Sequence, residues 1–307
     1  MNHYFIINPN AGPSGQVDSI RAAVPPHCQV FSSPRTEEAV AFVRQTCEAN
    51  PNTPLRFYAC GGDGTLNRLA SALIDYPNAA LGIYPSGSGN DYVKCFRSTD
   101  GLEREDFLNI ERQLKGATRP VDVMRITVEG GNNDGVYHSV NVCNFGFDAT
   151  VARQMNRVRR WPLLGGHNAY TTGIVAAIFA ARYNRMDIDV DGKPFLRKRM
   201  LLCTLSNGQY IGGAYYCAPH SINDDGLIEV TLFRTMSLLR LCTFLGPYRK
   251  GTHLKQRAAK RLIRCQQART VTLSHRKPFY VCIDGELLYG TRYTIEQLPR
   301  ALNVIIP

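Results

Sequence analysis

The residues that could do chemistry begin with a glycine-rich turn around one carboxylate, Gly61-Gly62-Asp63-Gly64-Thr65. It follows the apolar run 55–60 and precedes a helical pattern that begins at Leu66. Glycines let the backbone approach a phosphate, and the following helix offers unpaired N–H groups and a partial positive charge. Because Asp63 would repel a phosphate, it indicates a divalent cation or a proton-bearing nucleophile between the two. The simpler interpretation is a turn in which Asp63 caps the helix.

A second loop of small polar residues supports the phosphate-site interpretation. Residues 79–84 are typical of a buried strand and lead into Pro85-Ser86-Gly87-Ser88-Gly89-Asn90-Asp91. Loops that follow two strands of one parallel sheet lie on the same edge of that sheet. We therefore expect the two loops to line one crevice.

The elements that must position these loops alternate between strand and helix. A strand from Tyr4 runs into the permissive loop 8–15, and Thr36 is the expected N-cap of a helix that ends near Glu48. Strands are predicted at 4–8, 29–31, 55–60 and 79–84, and helices at 17–24, 36–48, 65–74, 92–96 and 103–115. This order is typical of a doubly wound α/β domain.

From Val121 the pattern changes to strands with period two, so we place a domain boundary near Pro120. Strands are predicted at 121–129, 136–147, 186–190, 200–206, 228–233, 270–273, 279–283 and 287–289, with helices at 149–158 and 170–183. The second domain is predicted to be a β-sandwich with one or two inserted helices.

Two acidic turns in the second domain could add carboxylates to a site. One contains Asp225 followed by Gly226, and the other is Asp284-Gly285-Glu286 after an apolar strand. Both sequences are also typical of simple hairpin corners.

The net charge of +11 is unevenly distributed over the 307 residues. No Asp or Glu occurs between residues 230 and 283, although that segment carries many Arg and Lys residues. Such a surface predicts an anionic partner, either nucleic acid or an acidic bilayer. Within the segment, 254–264 is predicted to be a weakly amphipathic basic helix. Trp161, among arginines and leucines at 157–164, is a second candidate for membrane contact.

The cysteines and apolar runs indicate a cytosolic protein. Ten cysteines occur without a Cys-x-x-Cys pair, which favours buried, reduced thiols. The seven histidines show no metal-ligand spacing. No apolar run approaches the roughly 18 residues of a membrane-spanning helix, and the amino terminus resembles a strand more than a signal peptide.

Together, the loops 8–12, 61–65 and 85–91 resemble the diacylglycerol kinase catalytic domain family, in particular the soluble bacterial lipid kinases. The resemblance covers nearly the whole chain. It implies a nucleotide-binding domain of residues 1–120, similar to that of NAD kinases and diacylglycerol kinases. A lipid-binding β-sandwich of residues 121–294 would follow, with a tail at 295–307 that returns to the first domain.

The resemblance also implies an activity and a set of site residues. ATP and Mg2+ would bind in an interdomain cleft, where the γ-phosphoryl group passes to a hydroxyl of a lipid such as diacylglycerol. The residues expected around the nucleotide are Asn8, Pro9, Asn10, Ala11, Gly12, Thr36, Gly61, Gly62, Asp63, Gly64, Thr65, Leu66, Asn67, Ser88 and Asn90. Ser88 stands where threonine is more common in the family.

The same resemblance assigns the metal ligands, the base and the partners. Asp225 and the backbone carbonyls of Ile222 and Leu227 are the expected Mg2+ ligands. Glu286 is the candidate catalytic base, with Asp284 and Asp63 near the metal or the phosphates. A lipid substrate and an anionic membrane surface are the expected partners of a cytoplasmic, peripherally membrane-associated enzyme. A homodimer is left open, and no nucleic acid is expected.

Three other functions remain open at this point. NAD kinases share Gly-Gly-Asp-Gly but also carry an Asn-Glu pair, and this chain has no Asn-Glu dipeptide. Sugar-phosphate kinases of the phosphofructokinase type share the glycine loop and would lack the basic apolar segment. A non-catalytic protein that binds nucleotides or an anionic surface would use the same positive charge.

Overall fold

The computed structural model describes residues 2–12, 15–87, 89–146 and 184–307. These residues form two compact units. The first unit contains the described residues up to Val123, together with 223–225 and 298–307. The second contains the described residues from Met124 to Ile222, together with 226–297.

A parallel sheet forms the centre of the first unit, in the strand order β2-β1-β3-β4. Its strands are β1 (Asn2–Ile7), β2 (Gln29–Ser32), β3 (Leu55–Gly61) and β4 (Ala79–Pro85). The helices between them are α1 (Gln16–Ala23), α2 (Thr36–Ala49) and α3 (Asp63–Leu73). At Asn303 the last strand of the chain pairs in parallel with Ala80 of β4.

The order of the strands reverses between β1 and β3, which lie side by side although β2 separates them in sequence. Residues Phe57 to Cys60 of β3 are all buried, as expected for a central parallel strand covered on both faces. In such sheets the loops at the carboxyl ends of the strands diverge at the reversal and leave a crevice for ligands. The glycine-rich turn after β3 lies at this point.

After β4, the first unit continues with a 3-10 turn at Tyr92–Lys94, α4 (Cys95–Asp100), α5 (Arg104–Leu108) and α6 (Ile110–Lys115). The prediction of one helix over 103–115 is wrong, because Asn109 is extended and its side chain caps α6 by accepting from the N–H of Arg112. Thr36 is not an N-cap either. Arg35 occupies that position, and Thr36 is the first helical residue.

Antiparallel strands dominate the second unit, in the order β15-β14-β11-β7-β16-β17. The strands from the unit boundary onwards are β5 (Ala117–Glu129), β6 (Gly135–Ser139), β7 (Val142–Gly146), β8 (Asn184–Arg185), β9 (Asp187–Val190), β10 (Lys193–Leu196), β11 (Arg199–Ser206), β12 (Tyr210–Ile211), β13 (Tyr215–Tyr216), β14 (Ile228–Arg234), β15 (Ile263–Ala268), β16 (Thr270–Ile283) and β17 (Glu286–Ile306). One face of the central strands packs into an apolar core that includes Phe145, Leu205 and Val281.

Residues 254–264 of the basic segment do not form one helix, contrary to the prediction. Helix α7 (Leu238–Arg249) precedes a 3-10 turn at His253–Lys255 and the short helix α8 (Ala259–Leu262). The chain then becomes β15, which pairs with β14 from Ile263 to Ala268. Backbone pairing along the edge of the sheet thus prevails over the weak helical periodicity.

Some sequence predictions fall outside the described residues. These are the helices at 149–158 and 170–183, Trp161 and Ser88. All ten cysteines are described, none is in a disulfide, and seven of them are buried. In the part of the chain that the structure describes, no helix is both long and apolar enough to cross a membrane.

Candidate active site

The turn after β3 starts helix α3 with a glycine as its N-cap residue. Gly62 is the N-cap of α3 and provides no side-chain hydrogen bond, and the N–H of Leu66 donates to its carbonyl oxygen over 3.1 Å. A Cβ on Gly61 would collide with the side chain of Thr65. The turn therefore requires glycine and presents the first N–H groups of α3 at the sheet edge.

The loop after β1 packs against this turn. The N–H of Asn8 donates to the carbonyl oxygen of Cys60 over 3.0 Å, and its amide Nδ2 donates to Thr65 Oγ1 over 3.1 Å. The Asn8 side-chain oxygen and backbone carbonyl also accept the N–H groups of Asn10 and Ala11, across the turn that contains Pro9. Asn8 therefore holds its own loop and the glycine turn together.

The loop after β4 completes this edge of the first unit. The N–H groups of Ser86 and Gly87 both donate to the carbonyl oxygen of Gly61, each over 3.0 Å. A Cβ on Gly87 would collide with the backbone of Gly62. Asn90, which is 6% exposed with a φ of +49°, donates through its amide to Gly87 O. The structure thus brings together the three loops predicted from sequence.

Gly12 also approaches the β4 loop. Its φ is +87°, and a Cβ there would lie 2.7 Å from the carbonyl oxygen of Ser86. A positive φ and a close backbone neighbour both favour glycine at this position.

Asp63 is the first residue of α3, and its carboxylate reaches the β4 loop. Its Oδ1 accepts the N–H of Asp91 over 2.8 Å and that of Tyr92 over 3.5 Å. The crevice beside it, lined by Gly61, Gly62 and Asn90 among others, is too tight to hold a water molecule. Asp63 therefore fixes the two glycine loops to each other, a contact that no pentapeptide motif reveals.

The remaining predicted nucleotide residues of α2 and α3 lie near this edge or on the helix surface. Leu66 is buried in the core, and Asn67 is half-buried one residue later. Thr36 lines an open surface cavity of about 370 Å3 with Arg44 of α2 and Arg68 of α3. Thr36 is thus placed on the helix surface, at a cavity whose two arginines are matched by Glu37 and Glu48.

Two cations that sequence reasoning missed lie at the β4 loop. Arg104 Nη2 donates to the carbonyl oxygen of Pro85 over 2.7 Å. Lys94 Nζ pairs with Asp91 Oδ1 at 2.6 Å. Their only sequence signal is a basic residue shortly after a small-residue loop, which is too common to single out.

The predicted metal turn lies next to Tyr92. Asn223 is 6% exposed, its Nδ2 donates to the Tyr92 hydroxyl over 3.3 Å, and its carbonyl oxygen accepts the N–H of Asp122 over 2.7 Å. Asp225 follows in the same segment of the first unit and is exposed. Tyr92 donates its N–H to Asp63 and accepts the Asn223 amide on its hydroxyl, so it connects the glycine turn to the segment that carries Asp225.

The two carbonyl ligands predicted beside Asp225 belong to the second unit. Ile222 is 47% exposed, and Leu227 accepts a hydrogen bond of 3.4 Å from Gln297 Nε2 on its carbonyl oxygen. Among the described residues, no group of three or more His, Cys, Asp or Glu side chains could hold a metal ion.

The second acidic turn holds its two acids differently. Asp284 has a φ of +46°, and its carboxylate accepts the Ser139 hydroxyl at 2.8 Å and the N–H groups of Val140 and Val142 at 2.9 and 2.8 Å. Glu286 is exposed and pairs with Ile283 at the start of β17. Asp284 thus fastens the turn before β7, whereas Glu286 is an exposed residue at the start of β17.

Comparison with protein families gives two matches along the chain. Residues 2–126 match the diacylglycerol kinase catalytic domain, and residues 141–306 match the YegS C-terminal NAD kinase beta sandwich-like domain. The two matches together span nearly the whole chain, in the order that the sequence predicted.

Individual proteins agree with these matches. The chain is 26% identical to a "Probable lipid kinase YegS-like" from Enterobacter sp. (strain 638), over 88% of this chain and 83% of that protein. It is 27% identical to a diacylglycerol kinase from Bacillus subtilis (strain 168), over 81% and 77%. A crystal structure of a diacylglycerol kinase from Bacillus anthracis str. Sterne superposes with a TM-score of 0.68 at 17% identity, covering 100% of this chain and 97% of that one. At that identity the superposition shows the fold, and it confirms the predicted fold class.

Proposed function

Since this chain belongs to the diacylglycerol kinase catalytic domain family of lipid kinases, we propose that it transfers the γ-phosphoryl group of ATP to a hydroxyl of a lipid such as diacylglycerol. The transfer would require Mg2+, as phosphoryl transfers from ATP generally do.

The observation that carries the proposal is the contact between the two glycine loops. Ser86 and Gly87 donate to Gly61, and Gly62 starts α3 without a side-chain cap. An uncapped helix start beside two glycine-rich loops suits a polyphosphate, because backbone N–H groups can face the anion at close range. No lysine-based phosphate loop occurs in the sequence, which favours backbone amides as the phosphate ligands.

The donor set around Asp225 fits a hard cation. An exposed carboxylate and backbone carbonyls close to it in sequence supply the oxygen ligands that Mg2+ prefers. We propose that Asp225, Ile222 and Leu227 hold this ion. Bound Mg2+ would neutralise charge that develops on the phosphates.

Two acids are proposed to act in the transfer itself. Glu286 would take the proton of the lipid hydroxyl, because its carboxylate is exposed and at the tip of a hairpin. Asp63 would face the nucleotide while keeping its bond to the Asp91 N–H. The role predicted for Asp284 near the phosphates, and the location of the acceptor in an interdomain cleft, stay predictions.

The exposed basic segment supports a peripheral contact with an acidic membrane. All twelve of its cations are exposed: Arg234, Arg240, Arg249, Lys250, Lys255, Arg257, Lys260, Arg261, Arg264, Arg269, Arg276 and Lys277. Leu239, beside Arg240 at the start of α7, is 78% exposed. Each cation near an acidic bilayer contributes on the order of 1 kcal/mol, so a few of them suffice for reversible binding.

Label transfer from γ-labelled ATP tests the proposed activity. Separate reactions would contain dioctanoylglycerol, a sphingoid base, a prenyl alcohol, phosphatidylglycerol, NAD and a sugar phosphate. We expect the label in an extracted lipid, and we expect Asp63→Ala to lose that signal. Asp75→Ala, a matched change at an exposed turn, should keep the wild-type signal. Label in NAD or the sugar phosphate, with none in any lipid, would contradict the proposal.

Vesicle sedimentation tests the membrane contact separately. Binding should require anionic lipid and should decrease as the salt concentration rises, because salt screens charges at the surface. Equal binding to neutral vesicles, without salt dependence, would show that the basic segment does not direct the protein to a membrane.

A further inference from the structure

Three buried polar side chains occupy adjacent positions on one sheet face of the second unit. Asn144 of β7 lies directly opposite Thr204 of β11, and Ser206 follows two residues after Thr204 on the same strand. Residues opposite each other in a ladder, and residues two apart on a strand, share a face. Asn144 is 6% exposed, and Thr204 and Ser206 are 0% exposed.

The side-chain oxygens of these three residues make no hydrogen bonds to the described part of the chain. Asn144 Oδ1, Thr204 Oγ1 and Ser206 Oγ lack hydrogen-bond partners among the described residues. A buried polar atom without a partner costs about 1–3 kcal/mol, so folded proteins seldom contain three on neighbouring positions. A ligand with hydrogen-bonding groups would satisfy all three oxygens.

Apolar side chains lie on the side of the three residues that faces Leu202 and Phe233. Leu202, on the same face two residues before Thr204, lies opposite Phe233 of β14. Both belong to an apolar cluster that also contains Leu241 and Phe244 of α7. A ligand that bonds to the three oxygens would therefore meet hydrocarbon directly beside its polar end.

The acidic hairpin follows the end of β16. Asn144 lies opposite Cys282 of β16, which is two residues before Asp284 and four before Glu286. Glu286 begins β17 opposite Ile283, so its position belongs to the other face of the sheet, at the edge where β16 ends. The residues across the ladders from the three side chains are Val142, Cys282, Thr231 and Glu229, none of them a cation.

We propose that Asn144, Thr204 and Ser206 bind the polar head of the lipid acceptor, with its hydrocarbon part toward Leu202 and Phe233. This assignment rests on the proposed lipid kinase function. Two hydroxyls and an amide oxygen, with no cation among their ladder partners and the acidic Glu229 opposite Ser206, suit a neutral head that carries hydroxyl and ester groups better than an anionic head. The three oxygens are covered in this structure, so a ligand reaches them only when neighbouring side chains move.

Isosteric substitution separates binding from folding. Thr204→Val and Ser206→Ala delete the hydroxyls with little change of shape, and Thr204→Ser restores one. Thr231→Val is the matched control, because Thr231 is 1% exposed on the same face but its hydroxyl contacts Cys265 Sγ at 3.8 Å. The measurements are KM for dioctanoylglycerol in nonionic micelles, KM for ATP, and melting temperature.

We expect Thr204→Val and Ser206→Ala each to raise the lipid KM about tenfold, with the ATP KM and kcat changed less than twofold. Their melting temperatures should stay equal or rise, because an unpartnered hydroxyl is replaced by a methyl group or hydrogen. Thr204→Ser should recover most of the lipid affinity. An unchanged lipid KM in both variants, or an equal rise in Thr231→Val, would overturn the assignment.

A binding measurement keeps this test independent of the proposed activity. If the wild-type protein labels no lipid, dioctanoylglycerol micelles should still raise its melting temperature and should fail to do so for Thr204→Val. A shift of equal size in both proteins, or none in the wild type, would overturn the assignment, because the three oxygens would then serve no lipid.

Discussion

The candidate nucleotide edge of the first unit is made of backbone, whereas the acidic hairpin and polar face of the second unit are made of side chains. Gly61 accepts the N–H groups of Ser86 and Gly87, and α3 starts without a side-chain cap. In the second unit Asp284 gathers a hydroxyl and several N–H groups with its own carboxylate. The first arrangement requires glycine at fixed positions, while the second requires particular side chains in register.

This difference decides how visible each region is in the sequence. A backbone site excludes Cβ atoms, so it leaves runs of glycine that are recognisable without a structure. A side-chain site on a sheet draws its members from strands far apart in sequence, as Asn144 and Thr204 show. The experiments below therefore alter backbone and side-chain features separately.

Asp63 gives the sharpest test, since it is a side chain within the backbone site. Asp63→Asn keeps an oxygen for the Asp91 N–H, whereas Asp63→Ala removes it. If the charge is needed beside Mg2+, both variants should lower turnover about 1000-fold, or roughly 4 kcal/mol. Turnover and melting temperature are the measurements, with Asp75→Asn as control. Near wild-type turnover of Asp63→Asn would show that Asp63 only joins the two loops.

Substitutions of the two acids of the hairpin should have different effects, with Asp284 affecting stability and Glu286 affecting activity. Asp284→Ala leaves three N–H groups and a hydroxyl without their acceptor, which should lower the free energy of unfolding by roughly 4 kcal/mol. Glu286→Gln should leave that free energy nearly unchanged and reduce turnover. Urea unfolding and label transfer measure the two effects. Equal destabilisation by both changes would contradict the division of roles.

His253 predicts a pH dependence of stability in the second unit. It is buried against Tyr248 and Phe233, and burial, aided by His220, lowers its pKa to about 4, although the Pro247 carbonyl opposes the shift. The folded state thus binds the proton more weakly than the unfolded chain. The neutral form of His253 therefore contributes its whole share to the free energy of unfolding above about pH 6.5. That free energy should fall by about 3 kcal/mol as the pH decreases to 4.

Melting temperatures between pH 7 and 4 measure this effect. His253→Phe should reduce the slope in that range because the titrating group is gone, whereas His220→Gln, at an exposed position, should reduce it only slightly. An unchanged slope in His253→Phe would assign the pH dependence to other groups.

Gly87 provides the smallest effect and tests whether the backbone contact matters. Gly87→Ala places a methyl group against Gly62, so the two loops must separate slightly. We expect about a tenfold rise in KM for ATP, equivalent to roughly 1.4 kcal/mol, with the lipid KM unchanged. Gly246→Ala, in an open position of α7, is the control that should change neither constant. A larger rise in the lipid KM than in the ATP KM would contradict a nucleotide role for this edge.

Much of the first unit could be predicted from sequence, because its strands, loops and helix starts each depend on residues that are close together in the chain. Buried strands, small-residue loops and helix starts are encoded within a few residues, and the family resemblance follows from the same loops. The errors occur where local signals are weak. Asn109 divides one predicted helix in two, and the basic stretch near residue 263 becomes the strand β15 once β14 offers it a partner.

The sequence by itself determined the α/β order, the β-rich second half, the family and the glycine-rich loops. Those features depend on side-chain periodicity and on residues that permit unusual backbone approach. Only the tertiary structure decided that Asp63 accepts the Asp91 N–H, that Asp284 is saturated while Glu286 is exposed, and that Asn144, Thr204 and Ser206 lie together without partners. Contacts of this kind depend on strand register and on pairing between distant segments, which no short stretch of the chain encodes.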